Sequence, residues 1–531
     1  MAELKRITSL EDSLPEEGNV NTFFYQTHSV TDEGPNEAVR EKEQKAEVRK
    51  IEHRDLQNLE DSEKRKRKIK IIKNLLVISF GFLLLFTAFQ SLSNLQSSVN
   101  SVQGLGTASL SVIYAALVVS CMFVPTFIIK LIGLKYTLIA SILMYSTYFA
   151  ANFYAHWYTL IPTSIILGLG GAPLWTAKCA YLTETAGQYA AITGQTVDNL
   201  VVRFFGVFFM IFQSGQIWGN LIAYHVLSPQ TDSANATLEL DPTIYETCGA
   251  NFCNENKVVS NNTNLERPPD SKVYTLCGIY TGCSILSALF VFAFLDPLHR
   301  EGDEDKKGKA RPSFGLLIST FRHLKNPYQI LIVPITIFSG LEQAFVIGDY
   351  TKAFVSCAWG IHNVGYVMIC FGVADALSSI ALGQLIKWFG RIVIFTMGAL
   401  VNVATLITMF LWKPLPDNVT VFFVIAALWG LSDAVWQTQI NAVYGILFPS
   451  NEAAAFANYR LWESLGFIIA FAYAQFLCIN VKMYILLIVL GIGYSGYLAI
   501  EIHLRMRLRR QEPSEPANGT FETGMPEKIS N

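Results

Sequence analysis

Gln384-Leu385-Ile386-Lys387-Trp388-Phe389-Gly390 stands 257 residues after Phe127-Ile128-Ile129-Lys130-Leu131-Ile132-Gly133, with Lys387 over Lys130 and Gly390 over Gly133. That offset is close to half of the 531-residue chain, and each copy follows the second apolar run of its half. A similar offset carries Trp175 to Trp436, each after a glycine-containing stretch. An α-helix needs about 20 apolar residues to cross a bilayer. Windows of that length give spans near 74–95, 107–129, 135–155, 158–183, 200–226 and 274–295, then 329–350, 361–386, 392–411, 419–446, 459–478 and 483–503. The twelve divide six and six about the charged segment 296–327. The pattern predicts an all-α polytopic membrane protein with twelve transmembrane helices in two six-helix pseudo-repeats.

Composition points the same way. The chain is 51% apolar and 15% charged, with a mean hydropathy of +0.34 and a net charge of −2. Soluble domains carry about 25% charged residues, and the charge here is concentrated in 1–73, 296–325 and 499–531. Five segments are expected. Residues 1–72 are too polar to bury a core and read as a disordered tail with its own basic run. A six-helix half over 73–295 carries the long loop 227–272; a charged connection follows at 296–327, a second half at 328–504 and a tail at 505–531. The N-terminal tail lacks an early apolar core and a small-residue cleavage site, so the first span is expected to act as the insertion signal.

Basic residues set the orientation. Lys64, Arg65, Lys66, Arg67, Lys68, Lys70 and Lys73 precede the first span, the central connection adds seven Lys and Arg, and Arg505, Arg507, Arg509 and Arg510 follow the last. Loop 227–272 carries only Lys257, Arg267 and Lys272. Both termini are therefore expected in the cytosol of a cell-membrane protein, with an endosomal or endoplasmic-reticulum pool left open. The run Lys64 to Lys73 can also attract anionic inner-leaflet lipids; beside a span it argues against nucleic acid. Glycosylation is expected at Asn235, Asn261 and Asn418, the sequons on the outer side. Cys248, Cys253 and Cys357 fall on that oxidising side, and Cys248 with Cys253 is the preferred pair over a bond to Cys357.

Duplicated six-span halves are the architecture of major facilitator transporters, with a ligand cavity between the halves. Gly383-Gln384-Leu385-Ile386-Lys387-Trp388-Phe389-Gly390-Arg391 resembles that superfamily's loop motif, but Lys387, and Lys130 in the first half, stand where an acid is usual. Phe80–Ser98 (FGFLLLFTAFQSLSNLQSS), Asn152–Thr183 (NFYAHWYTLIPTSIILGLGGAPLWTAKCAYLT), Leu428–Phe448 (LWGLSDAVWQTQINAVYGILF) and Ala454–Phe467 (AAFANYRLWESLGF) resemble the uncoordinated-93 family, closely its vertebrate homolog A branch. The resemblance covers residues 73–500. It implies regulation of two-pore-domain potassium channels or, from another branch, escort of Toll-like receptors. A transported substrate is not part of what it implies.

In the resembling fold, spans 1, 4, 7 and 10 line the central cavity. Gln90, Asn94, Trp175, Lys178, Glu342, Gln343, Asp433, Trp436, Gln437 and Gln439 are then its expected polar and aromatic lining. Charges at membrane depth usually face a bundle interior or a wet cavity. Glu342 or Asp433 is expected to take up a proton and Lys178 to meet an anionic group; the competing reading is that these groups pair and lock the halves. Arg203, Arg460 and Glu463 are read as lying near cytosolic ends, where long side chains snorkel. Gly215 and Gly219, like Gly278 and Gly282, make small-residue faces suited to close helix packing.

Catalytic signatures fail. Gly491-Ile492-Gly493-Tyr494-Ser495-Gly496 fits a dinucleotide pattern but lies inside a span, and Gly302 to Lys309 has the wrong phosphate-loop spacing. No enzyme activity, cofactor or metal is expected. The leading expectation is a non-enzymatic protein that regulates or associates with another membrane protein, a potassium channel first. A secondary transporter of a small solute and a Toll-like receptor chaperone are the alternatives.

Overall fold

The computed structural model describes residues 61–228, 242–253, 262–298, 322, 324–448 and 452–511. Within them lie twelve long helices. The first half holds α1 (Asp61–Val99), α2 and α3 (the arms 105–132 and 134–151 of Leu105–Ala151, parted at Gly133), α4 (Trp157–Thr193), α5 (Val197–Leu227) and α6 (Asp270–Phe294). The second holds α7 (Pro327–Ala344), α8 (Asn363–Phe389), α9 (Arg391–Leu411), α10 (Val419–Leu447), α11 (Glu452–Tyr473) and α12 (Ile479–Gln511). Eleven spans are long and apolar enough to cross a membrane. The twelfth helix, α11, has the length but carries Glu452, Arg460 and Glu463.

The repeat is visible in the backbone. Gly133 between α2 and α3 has φ 78° and ψ 170°, and Gly390 between α8 and α9 has φ 77° and ψ 165°. A residue with a Cβ is strained there, so both copies of the repeated heptapeptide end in the one residue that can make the reversal.

Several boundaries move. Residues 61–72, expected within a disordered tail, form the first three turns of α1: helix-favouring Glu, Lys and Arg continue straight into the span. At the other end α12 continues past residue 504 to Gln511. The helix α7 passes into a π-helical stretch, Phe345–Ser356, closed by the turn Cys357–Trp359. Residues 1–60, the sequons at Asn235 and Asn261, most of the 296–327 connection and residues 512–531 lie outside the described residues. Asn418 is described and exposed, at the start of α10.

The preferred Cys248–Cys253 bond is corrected. Cys248 is bonded to Cys357 and Cys253 to Cys478. A short 3₁₀ turn, Gly249–Asn251, separates the two loop cysteines and each is held by different neighbours. Asn262 Nδ2 donates to Cys357 O at 2.9 Å beside Cys248, while Ile479 N donates to Phe252 O at 3.0 Å and seats Cys253 against Cys478. The apolar window 459–478 takes in Cys478, but α11 ends at Tyr473, which frees Cys478 for the loop.

The halves meet near the disulfide-bearing end. Ser98 Oγ and Ser356 Oγ hydrogen-bond at 3.0 Å, Ser111 Oγ donates to Ile468 O at 3.2 Å, and the Tyr114 and Phe467 rings stack at 4.1 Å. Gly215 and Gly219 pack on the α1 backbone inside the first half, whereas Gly282 has open space beside it.

At the opposite end a polar clamp holds α1 to Asp296, two residues past α6. Lys73 Nζ lies 2.7 Å and Lys70 Nζ 3.9 Å from Asp296 Oδ2, and Tyr181 Oη donates to Asp296 O at 2.8 Å. Burial pushes the Asp296 carboxyl up, but the lysines overcome it and hold it below its ordinary value. A carboxylate lowered in the folded state stabilises above its unfolded pKa, and that stability is lost as pH falls through the folded one. The melting midpoint is therefore expected to drop on acidification through the carboxylate range. Asp296→Asn is expected to reduce that drop in a thermal-shift series; an unchanged pH profile would exclude the clamp as its source.

Candidate functional site

Polar side chains buried in the second half converge on α7, α10 and α11. Glu342 on α7 is fully buried and accepts a hydrogen bond from Trp429 Nε1 on α10. One turn further along α10, on the same face, Asp433 is an electrostatic neighbour of Glu342. Glu342 Oε1 and Asp433 Oδ1 meet no N–H or hydroxyl donor among the described residues. Asp375 on α8 lies within electrostatic range of Asp433.

Gln437 extends this set to α11. Its Nε2 donates to Ser339 Oγ at 3.2 Å and to Glu463 Oε1 at 3.1 Å. Glu463 also accepts from Tyr459 Oη at 2.7 Å and pairs with Arg460 Nη1 at 2.7 Å. Arg460 and Glu463 lie eight and eleven residues into α11, well away from its end. Arg460 keeps 61% of its side-chain surface accessible while sensing Lys178, Cys121 and Tyr114 of the first half, so it looks into the cleft between halves.

Across that cleft, Lys178 is only 1% exposed. Its Nζ sits 4.8, 5.1, 4.5 and 4.9 Å from the ring centroids of Trp175, Phe205, Phe208 and Phe209. The negative faces of aromatic rings stabilise an ammonium by about 0.5–2 kcal/mol each way they meet it. The cation expected to meet an anionic group is thus surrounded by rings. Because α4 runs to Thr193 rather than 183, Lys178 is also deeper than the sequence windows placed it.

The remaining expected lining residues scatter. Asn94 donates to Asn220 Oδ1 at 3.1 Å and ties α1 to α5, and Gln343 Nε2 bonds its own helix at Ser339 O. Gln439 is buried with its Oε1 unmet, as is the Oε1 of Gln90. Trp436 is corrected as a cavity wall: it is fully buried and turned toward α9, donating to Asn402 Oδ1 at 2.7 Å between Phe338 and Phe395.

Sequence reading missed a second charged group near the disulfides. Lys482 Nζ, in the first turn of α12, donates to Asp349 Oδ1 at 2.6 Å and to Ala474 O at 2.7 Å. Hydropathy windows placed Asp349 and Lys482 at span edges, where a charge draws no notice. The only available signal was opposite charge in adjacent window ends. Among the described residues no group of three or more His, Cys, Asp or Glu could hold a metal ion.

Two six-helix halves, repeated through matching glycine reversals and joined at one end around a polar cleft, define the major facilitator fold. Solved structures share it. The nucleoside transporter NupG superposes with a TM-score of 0.54 at 13% identity over 81% of this chain and 99% of its own, and a D-xylose-proton symporter with 0.56 at 12% over 81% and 96%. At that identity the likeness is one of fold, and fold alone does not carry function. The chain belongs to the UNC-93 family: the model described as "Ion channel regulatory protein UNC-93" matches residues 97–497. It is 51% identical to unc-93 homolog A of Xenopus laevis, over 82% of this chain and 94% of that one, and 47% identical to the Homo sapiens homolog, over 81% and 93%. The Caenorhabditis elegans protein named putative potassium channel regulatory protein unc-93 is 38% identical over 86% of this chain and 64% of its own.

Proposed function

We propose that this protein regulates another membrane protein, a potassium channel of the two-pore-domain type first, from the cell membrane with both termini in the cytosol. The observation that carries the reading is the 38% identity, through the whole helical body, to the worm protein named as a putative potassium channel regulator. Two disulfides at the end opposite the termini support the orientation, because such bonds persist on the oxidising side of a membrane. The basic turns of α1 from Lys64 to Lys73 are suited to anionic inner-leaflet lipids, and the exposed Asn418 to glycosylation.

A second reading, secondary transport, is favoured by one feature: Glu342 and Asp433 are neighbouring buried carboxylates. Two like charges side by side away from water cannot both ionise at low cost, so the pair is suited to hold a proton, the ligand a proton-coupled carrier needs. Asp433→Asn separates the readings. Under regulation, whole-cell potassium current per surface channel is expected to change when the protein is co-expressed, and equally so with Asp433→Asn. A change in channel density alone would point to escort. Loss of a solute uptake with Asp433→Asn, with current and surface level intact, would overturn regulation in favour of transport.

A further inference from the structure

Glu266-Arg267-Pro268-Pro269 joins the last turn of the long loop to the start of α6. Proline holds its own φ at about −65° and pushes the residue before it out of the helical region. Arg267 and Pro268 are therefore confined to extended backbone, and the ends of the link agree, with ψ 137° at Glu266 and 140° at Pro269. Such a chain advances about 3.1 Å per residue against at most about 3.6 Å when fully stretched, so four residues hold about 2 Å of slack.

The two ends of this link are fastened to different halves. At one end the 3₁₀ turn Thr263–Leu265 lies on the second half: Asn262 Nδ2 donates to Cys357 O at 2.9 Å, and Asn264 Nδ2 to Cys357 O and Ala358 O, both at 3.2 Å. Asn262 is 2% exposed, and the Cys248–Cys357 bond forms the floor of its seat, with Cys357 Sγ 3.4 Å from Nδ2. At the other end α6 is held within the first half, where Lys272 Nζ donates to Leu227 O at 3.2 Å and to Ser228 O at the end of α5. We propose that residues 262–269 are a taut strap that keeps the two halves closed at the disulfide-bearing end, with Asn262 and Asn264 as its catch.

Parting the halves there also separates Ser98 from Ser356, Gln475 Nε2 from Thr107 Oγ1 at 3.3 Å, and the α5 backbone from Gly365, where a Cβ would fall 2.4 Å from Asn220 O. These contacts act over a short range and offer no resistance once the surfaces have moved apart. The disulfides do not limit the motion either. Cys253 stands 17 positions before Asp270, enough chain to span about 55 Å. The strap differs in joining a fixed length to a grip on both halves. Its grip is made of neutral hydrogen bonds, so it releases and re-forms without covalent change. While it holds, the cleft into which Arg460 looks is entered from the opposite end.

The test measures distances by double electron–electron resonance on full-length protein in lipid nanodiscs. Spin labels are attached through a ketone-bearing synthetic residue in place of Val102 and Phe476, which are 73% and 82% exposed on turns of the first and second half at that end; all nine cysteines stay in place. One short component is expected. Asn262→Ala with Asn264→Ala should add a longer component, raising the separated population about tenfold. Inserting Gly-Ser-Gly-Ser-Gly-Ser between Arg267 and Pro268 leaves the catch and slackens the strap, and should also bring out the longer component. A control pair at Val102 and Tyr158, both in the first half and exposed, should keep its distance in every variant. An unchanged Val102–Phe476 distribution in the insertion variant or in the double variant would overturn the strap. So would lengthening of the control pair, because residues 262–269 would then be holding the first half together rather than the two halves to each other.

Discussion

Replacing Gly340 with valine is expected to abolish assembly of the second half. A Cβ at Gly340 falls 2.0 Å from Glu463 O and 3.1 Å from Phe467 N, and one at Gly466 falls 2.3 Å from Ile337 O and 2.8 Å from Leu341 N. The two glycines thus bring the α7 and α11 backbones into direct contact, each filling the gap the other leaves. Overpacking a core costs about 1–3 kcal/mol when side chains can shift. Here the neighbouring atoms are backbone, so whole helices must separate and the loss should exceed that range. Fluorescence-detected size exclusion reads it: Gly340→Val and Gly466→Val should each lose the monodisperse peak. Gly282→Val, with nothing within 4 Å, should keep it. A monodisperse Gly340→Val at normal yield would refute the close crossing. The crossing also matters for the site, because it sets Glu463 and Arg460 beside Gln437.

The second large effect is expected at Asp349 and Lys482, whose side chains are 10% and 2% exposed and whose charged atoms lie 2.6 Å apart. Removing one partner of a buried pair leaves an uncompensated charge, at a cost of about 3–5 kcal/mol, while replacing both by apolar or neutral groups is often near neutral. Asp349→Ala and Lys482→Met are each expected to lower the melting midpoint strongly. The double variant Asp349→Asn with Lys482→Met should recover most of the loss. Additive losses in the double variant would mean that the two residues act independently rather than as a pair.

Much of the architecture was legible because membrane burial writes a simple signal. Apolar runs of the required length, and the glycines 257 residues apart that recur with matching φ and ψ, gave the two-half plan. The site was legible in part. Glu342, Asp433 and Gln437 do come together on facing helices, since an acid at membrane depth must find a polar neighbour. What escaped reading were helix ends and side-chain directions. Charged Arg460 and Glu463 lower the hydropathy of α11, so the apolar window slid toward Cys478 and misplaced all three residues at once. Sequence reports charge, and so leads to an anionic partner for Lys178. The four rings around it come from α4 and α5, and only packing brings them together. Trp436 shares the Trp175 position in the repeat, yet its indole N–H found Asn402 on another helix.

The disulfides also impose an order in time. Cys248 and Cys253 are synthesised early, and their partners follow 109 and 225 residues later. At about 5–20 residues per second, Cys253 waits roughly 10–50 s for Cys478 to exist. Throughout that interval the nearest thiol to each is the other, only five positions away. The bond most accessible to the nascent chain is therefore one the finished protein does not contain, and maturation depends on keeping that pair reduced, or undoing its bond, until the last helix has been made.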